Sequence, residues 1–351
     1  MPPHLQMKKQ LLTSLILALL GFSQLIAQDF HFSQFYSNPQ LLNPALTGNF
    51  QEDYRLNMIH RNQWSSIGSK FQTTAFGGDI NIQGGKLNKD KIGVGVQVYL
   101  DNQADVLGTQ GFLTSLSYIH TLDGHRRHHL AGGVQIGYMK KTLNTDGLQF
   151  GSQYQNNQYS SSTSSNETFN GFDLSSITLQ AGVSYSYDLT KVSHLFTGLS
   201  VYQITAPSET VTDSDNKLGQ RMIYNVGVEH QLTEKIKIIP QLMYMYQSKA
   251  SDFNFGSLVK YELIPIFQTN LILGAFYRTS DALIAVGGFE HKGIEAKISY
   301  DITMSDLKGA KVSEGAAPNN MVGAWEVSVI FKGIFRNHNY ANDYTVPCGI
   351  F

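Results

Sequence analysis

The chain of 351 residues contains one cysteine, Cys348, so neither a disulfide framework nor a cysteine-rich metal site can form within it. Charge is also scarce. Asp, Glu, Lys and Arg make up 15% of the residues, against roughly 25% in typical soluble domains. The formal net charge is −1 and the pI about 6.8, which argues against a nucleic-acid partner.

Signals for helices and for chemistry are scarce as well. Mean hydropathy is −0.18 and no segment after residue 27 is apolar enough for a membrane helix. No nucleophile and base stand at a recognisable spacing, and no calcium loop or phosphate-binding glycine loop is present. The histidines at 125–129 suit a solvated turn better than a metal or anion site. We therefore predict that the protein is not an enzyme and has no catalytic residues, no metal and no cofactor.

The first 27 residues have the layout of a secretory signal peptide. Lys8 and Lys9 precede an apolar run at 11–20, and Ala27 is a small residue at a suitable cleavage point. An uncleaved membrane anchor is the alternative. We predict residues 1–27 as the leader and export of the chain that follows.

The rest of the chain is dominated by a period of two. Val94, Val96 and Val98 share one face of a strand, for example, while Gly93, Gly95 and Gln97 share the other. Such runs predict about 14 strands over residues 54–333. Their length of roughly 8–13 residues exceeds the 5–6 usual in soluble sandwiches and suits strands that cross a membrane.

The two faces of these strands favour an antiparallel up-and-down transmembrane β-barrel in the bacterial outer membrane. One face carries uncharged Val, Ile, Leu and Tyr, and the other is rich in Gly, Ser, Gln and Asn. Lipid cannot satisfy an open sheet edge, so the sheet must close. Every second connection is tight, while the connections at 143–175, 205–220 and 305–322 are long, and Thr279–Ser280 is an exception. A soluble exported all-β protein is the alternative.

A neutral stretch, HFSQFYSNPQLLNPALTG at 31–48, precedes the strands and is too broken to be one of them. Its Asn-Pro pairs predict turns, and its aromatic side chains can fill space. We predict that residues 28–53 plug the lumen or cap its periplasmic mouth; a linker without a special role is the alternative.

Arg61, Gln63 and Trp64 follow the first strand and suit a loop cap, a contact site or an aromatic belt at the membrane surface.

Together these segments resemble the PorP/SprF family, outer-membrane proteins of the type IX secretion system in Bacteroidetes. The resemblance includes Asp29, Phe35, Asn62 and a tail at 334–351 that ends in an aromatic residue, although Gly349-Ile350 departs from the family's usual ending. The motif residues carried over as plug or partner contacts are Phe32, Ser33, Gln34, Asn38, Asn43, Pro44, Ala45, Gly48, Arg61, Gln63 and Trp64.

The resemblance implies a function in secreting cargo proteins that carry a sorting domain, or in holding them at the surface. In gliding bacteria the cargo includes a large motility adhesin. The implied partners are other secretion components, the cargo and outer-membrane lipid, with no small-molecule substrate. A porin-like diffusion channel for small solutes is the alternative. Against it, porins line their constriction with opposed rows of charge, and inward charges look sparse in this sequence.

Overall fold

The computed structural model describes residues 29–335, apart from 65–69, 84–86, 88, 126, 146–147, 149, 156–157, 161, 165–172, 209–216, 268 and 306–322. The predicted signal peptide, Cys348 and all but the first two residues of the predicted tail lie outside the described residues. Within the described residues, no helix has the length and apolar character needed to cross a membrane.

Fourteen antiparallel strands form one closed barrel, which confirms the predicted fold. The ring is completed by pairing of the first strand with the last, where Tyr54 lies opposite Gly333 and Gln63 opposite Ala324. The strands are β1 Tyr54–Gln63, β2 Phe71–Gln83, β3 Lys91–Gln103, β4 Leu107–Thr121, β5 His128–Leu143, β6 Asp173–Thr190, β7 Ser193–Tyr202, β8 Arg221–Gln231, β9 Ile236–Gln247, β10 Ala250–Ile264, β11 Thr269–Arg278, β12 Ala282–His291, β13 Ile294–Thr303 and β14 Gly323–Gly333.

Alternation along each strand separates an outer apolar face from an inner face, as the sequence predicts. In β3, Val96, Val98 and Leu100 are exposed on the outer surface, while Gln97 and Tyr99 are buried inside. The same pattern places Leu116 outside and Ser115 inside in β4. The outer surface therefore presents apolar side chains to lipid around the ring.

The connections distinguish the two ends of the barrel. At the end that we call the short-turn end, the connections are 84–90, 122–127, 191–192, 232–235, 265–268 and 292–293. The long-loop end carries 144–172, 203–220 and 304–322, together with shorter connections at 64–70, 104–106, 248–249 and 279–281. The sequence predicts fewer short connections at this end. The difference arises because β3, β4 and β10 continue with polar residues beyond the stretch in which apolar residues alternate. By the usual rule for outer-membrane barrels, the short-turn end faces the periplasm.

The inner face is less uniformly polar than the sequence suggests. The part of the wall formed by β8–β12 carries inward apolar side chains, among them Ile223, Met243, Leu258, Ile272 and Ile284. They form one buried cluster with Phe35, Tyr36, Leu42 and Leu46 from the segment that precedes β1. The lumen is therefore an apolar core on this side, and not a water-filled channel.

A charge on the outer face should reveal how deep in the bilayer a position lies. We expect Leu116→Arg, in the interior of β4, to destabilise the barrel in lipid vesicles by about 2–4 kcal/mol, because a guanidinium there would lie near the bilayer midplane. Leu122→Arg is the control, since Leu122 is equally exposed but lies in a short turn, and there we expect about 0–1 kcal/mol. Chemical unfolding in vesicles measures both values. Equal losses would contradict this placement of the membrane.

Candidate functional site: the plugged lumen

The segment before β1 fills the lumen and runs from one mouth to the other. Asp29 lies at the long-loop end, where its carboxylate accepts hydrogen bonds from Gln203 (2.7 Å) and Gln247 (3.3 Å). At the short-turn end, the Asp53 amide donates to the Gly333 carbonyl (2.9 Å) and the chain enters β1. Between them, residues 32–40 and 42–50 are all buried. We call residues 30–50 the plug.

The two Asn-Pro pairs fold the plug into compact turns. Asn38 precedes helix α1 (Pro39–Leu42), and its side chain accepts a hydrogen bond from the Leu41 amide at 3.4 Å. Asn43 does the same for the Ala45 amide at 2.9 Å, ahead of a 3-10 turn at Pro44–Leu46. In both pairs the asparagine caps the turn and the proline takes the first position, where a backbone N–H would have no partner in the turn.

The outer half of the plug is held by Glu326, a fully buried residue of β14. Its two carboxylate oxygens accept the backbone N–H groups of Ser33 (2.6 Å) and Gln34 (2.8 Å). Arg61 of β1 donates to the same carboxylate (2.5 Å). One buried charge thus fixes two consecutive peptide groups of the plug and is itself compensated by a guanidinium.

The Ser33 hydroxyl connects this carboxylate to a second ion pair. It donates to Asp301 (2.6 Å) and accepts from Arg61 (2.7 Å) and Arg278 (2.8 Å). Arg278 and Arg61 each also pair with Asp301, at 2.9 Å and 3.1 Å. Four charged side chains from β1, β11, β13 and β14 therefore converge on a single serine of the plug. We call Ser33, Arg61, Arg278, Asp301 and Glu326 the outer cluster. Inward charges are more numerous than the sequence suggests, but here they are paired and bind the plug.

A histidine of the plug lies beside this cluster. Nε2 of His31 is 3.6 Å from a carboxylate oxygen of Asp252.

The lower half of the plug is held by a second ion pair, which the sequence motif does not include. Arg55 of β1 pairs with Asp79 of β2 (2.6 Å) and donates to the Leu46 carbonyl (3.0 Å). Asp79 in turn accepts the Gly48 amide (2.7 Å), and Gly48 has a φ of +66°, which favours glycine. The signal in the sequence is the alternation of β1, which places Arg55 on the same inner face as Arg61.

Glycines on the wall let the plug backbone lie directly against the strands. A Cβ atom on Gly133 of β5 would collide with the Pro44 carbonyl, and one on Gly93 of β3 would collide with the Thr47 carbonyl. Gly93–Gly95 reads in the sequence as strand alternation alone. The plug also bonds to strand backbones directly, since the side-chain NH₂ group of Asn43 donates to the Val183 carbonyl (2.9 Å).

The structure brings most of the motif together but leaves one residue apart. Phe32 packs with Ile59, Ala75, Tyr99 and Leu113, and Ala45 packs with Ile119 and Ala131. The prediction that Arg61 and Gln63 follow the first strand as a loop is wrong, because both pair with the neighbouring strands and lie within β1. Gln63 accepts hydrogen bonds from Arg61 at 3.3 and 3.4 Å. Trp64, with a φ of +57°, instead packs edge-to-face on Phe71 (5.0 Å) beyond the end of β1.

Below the plug, the short-turn end opens into a charged vestibule of about 450 Å³. Lys260 is held between Glu295 (2.7 Å) and Glu290 (3.1 Å) at its wall. The lining carries six glutamates and four lysines: Glu52, Glu229, Glu234, Glu262, Glu290, Glu295, Lys235, Lys237, Lys260 and Lys332. Among the described residues, no group of three or more His, Cys, Asp or Glu side chains is arranged to hold a metal ion.

Comparison with known proteins identifies the family. The model of the type IX secretion system membrane protein family PorP/SprF matches residues 25–329, which include the plug and almost the whole barrel. This chain belongs to the PorP/SprF family. The match and the closed barrel together place this PorP/SprF protein in the outer membrane. No curated protein matches the chain in sequence.

Solved structures share the fold of this PorP/SprF protein at very low identity. The toluene transporter TbuX of Ralstonia pickettii superposes with a TM-score of 0.51 at 9% identity, covering 84% of this chain and 93% of its own. A FadL homologue of Pseudomonas aeruginosa gives 0.51 at 9% identity, covering 86% and 95%. The toluene transporter TodX of P. putida gives 0.50 at 10%, covering 86% and 95%. These likenesses concern the fold alone.

Removal of the Glu326 carboxylate should loosen the plug. In Glu326→Ala the amides of Ser33 and Gln34 and the guanidinium of Arg61 lose their shared acceptor, and we expect a loss of about 3–5 kcal/mol in the free energy of unfolding. Hydrogen exchange should accelerate at residues 33 and 34. Glu234→Ala, which removes an exposed carboxylate from a short turn, is the control. Unchanged exchange at 33 and 34 would contradict the assigned contact.

Two adjacent glycines test the close approach of plug and wall. Gly133→Val should displace the plug at Pro44 and destabilise the protein by about 1–3 kcal/mol through overpacking. Gly132→Val should be tolerated, because a Cβ there has no atom within 4 Å. Thermal unfolding compares the stabilities and planar-bilayer conductance reports plug displacement. Equal behaviour of the two variants would refute the contact.

Proposed function

We propose that this protein is a plugged outer-membrane barrel that supports type IX secretion by binding other proteins at its two mouths. The observation that carries the proposal is the filled lumen. A closed wall surrounds a plug that is held by buried ion pairs in both its outer and its lower half. A barrel filled in this way is suited to binding partners and poorly suited to passing solutes.

The long-loop mouth is the proposed cargo side. The connections 144–172, 203–220 and 304–322 all begin and end there. Since the short turns face the periplasm, these loops face the cell exterior. We propose that they hold secreted cargo with a sorting domain, such as a gliding adhesin, at the surface. Motif residues such as Ser33, Gln34 and Arg61 act indirectly in this proposal, because they hold the plug and are buried.

The charged vestibule at the short-turn mouth is the proposed periplasmic contact. Its lining mixes carboxylates and ammonium groups around a concave opening of about 450 Å³. Such a surface suits a protein segment of mixed charge, because charge complementarity fixes orientation more than it adds affinity. We propose that another component of the secretion system engages it.

A diffusion channel is the competing function, and the plug argues against it. Porin-type conduction requires a continuous aqueous path. Around Ser33 the inward charges pair with one another and bind the plug, and the wall from β8 to β12 packs against plug aromatics. The solved structures named as transporters share the fold at 9–10% identity. This likeness gives no evidence that the present chain transports a solute.

Purification of the tagged barrel from native membranes tests the proposal. After mild cross-linking, mass spectrometry should recover secretion-system components and at least one protein with a sorting domain. An unrelated outer-membrane barrel carrying the same tag is the control. Recovery of neither class, together with steady conductance of the intact barrel in planar bilayers, would refute the proposal and favour the channel.

A further inference from the structure

A second cavity, of about 150 Å³, lies beside the plug at the long-loop mouth. Its lining includes Gln103, the last residue of β3, and Leu107, the first residue of β4. Leu41 of α1 and Phe30 also line it. The cavity therefore lies between the outer end of the wall and the plug, and it is distinct from the vestibule at the opposite end.

Several buried polar atoms around this cavity have no hydrogen-bond partner among the described residues. They are the side-chain oxygens of Gln180 and Gln203 and the Nε atom of Arg221. All three residues line the cavity and are more than nine-tenths buried, with exposures of 3%, 7% and 6%. An unpaired buried polar group is costly, so these atoms call for a ligand with both donors and an acceptor.

Charges of both signs border the same cavity. Asp29 and Asp101 provide carboxylates, while Lys141 and Arg221 provide cations. Arg221 is oriented by its stacking on Tyr202, with the guanidinium carbon 4.6 Å from the ring centroid, and by its bond to the Phe30 carbonyl (3.2 Å). These charges already balance one another. The Arg221 guanidinium lies 4.0 Å from the Asp29 carboxylate, and Asp101 accepts hydrogen bonds from Thr73 and Gln103. A ligand with a net charge would disturb this balance, whereas a zwitterion has no net charge and still supplies the donors and the acceptor that the unpartnered atoms lack.

The remaining lining is apolar and limits the size of the ligand. Leu107, Leu113, Met139 and Leu218 contribute side chains. A cavity of 150 Å³ is known to admit a molecule of about the size of benzene. The faces of the two tyrosines are already occupied, because Phe30 packs on Tyr99 (4.9 Å) and Arg221 on Tyr202. This disfavours a flat ring that would need to stack and favours a small branched apolar group.

We propose that this cavity binds a free amino acid with a small apolar side chain, of about the size of valine. Its carboxylate accepts a hydrogen bond from the Arg221 Nε–H, its ammonium group donates to the Gln180 and Gln203 oxygens, and its side chain contacts the leucines. Because the plug forms the floor, the amino acid is bound at the outer mouth and not conducted. The site is additional to the protein-binding function proposed above and would stand if that function failed.

Equilibrium dialysis of the full-length mature barrel with labelled L-valine tests the site. We expect saturable binding of one valine per barrel. Isobutylamine and isovalerate keep the side chain of valine but lack the carboxylate and the ammonium group respectively, and each should bind at least about tenfold more weakly. No saturable binding of valine, as for a cavity filled by water only, would overturn the proposal. Equal binding of either analogue would overturn it too.

A pair of variants locates the site. Gln180→Leu removes a lining acceptor and should weaken valine binding about tenfold or more. Gln241→Leu is the matched control, since Gln241 is also buried with unpaired side-chain atoms but does not line the cavity, and we expect unchanged affinity. Heat-modified gel mobility verifies that both barrels are folded. Equal affinities of the two folded variants would place any bound valine elsewhere and refute the assignment.

Discussion

The outer cluster depends on the pairing of buried charge with the backbone of the plug. Glu326 and Asp301 cannot remain ionised inside a lipid-enclosed wall without cations, and Arg61 and Arg278 supply them. Since Ser33 and Gln34 complete the hydrogen bonds of this cluster, the wall and the plug stabilise each other. An empty lumen would leave several charged groups with unsatisfied hydrogen-bonding capacity, so the plug is an integral part of the folded barrel.

The barrel itself could be predicted from the sequence because its physics is periodic. Lipid on one side and a plugged lumen on the other impose a period of two on every strand, and Val96 and Val98 opposite Gln97 already show it. The turns before β1 could also be predicted, because Asn38-Pro39 and Asn43-Pro44 exclude a strand. The ends of the strands were harder to predict, because β3 and β10 continue with polar residues after the alternation of apolar residues stops.

The contacts within the lumen could not be predicted, because they join residues that are distant in sequence. Ser33 bonds to Asp301, which is 268 positions away in the sequence, and the residues around either one do not indicate this contact. Gly133 looks like any strand glycine until the Pro44 carbonyl is seen against it. The apolar inner face of β8–β12 was likewise hidden, because alternation reveals which side chains face inward but not whether they meet water or protein.

The path of the plug also constrains the order of assembly. The plug enters at the long-loop mouth and leaves into β1 at the short-turn mouth, while the ring is completed only by β1 and β14, the first and last strands of the barrel. A finished cylinder would have to be threaded by the chain's own leading end. Glu326 lies on β14 beside the seam with β1, so the strand that completes the ring also holds the Ser33 and Gln34 amides of the plug.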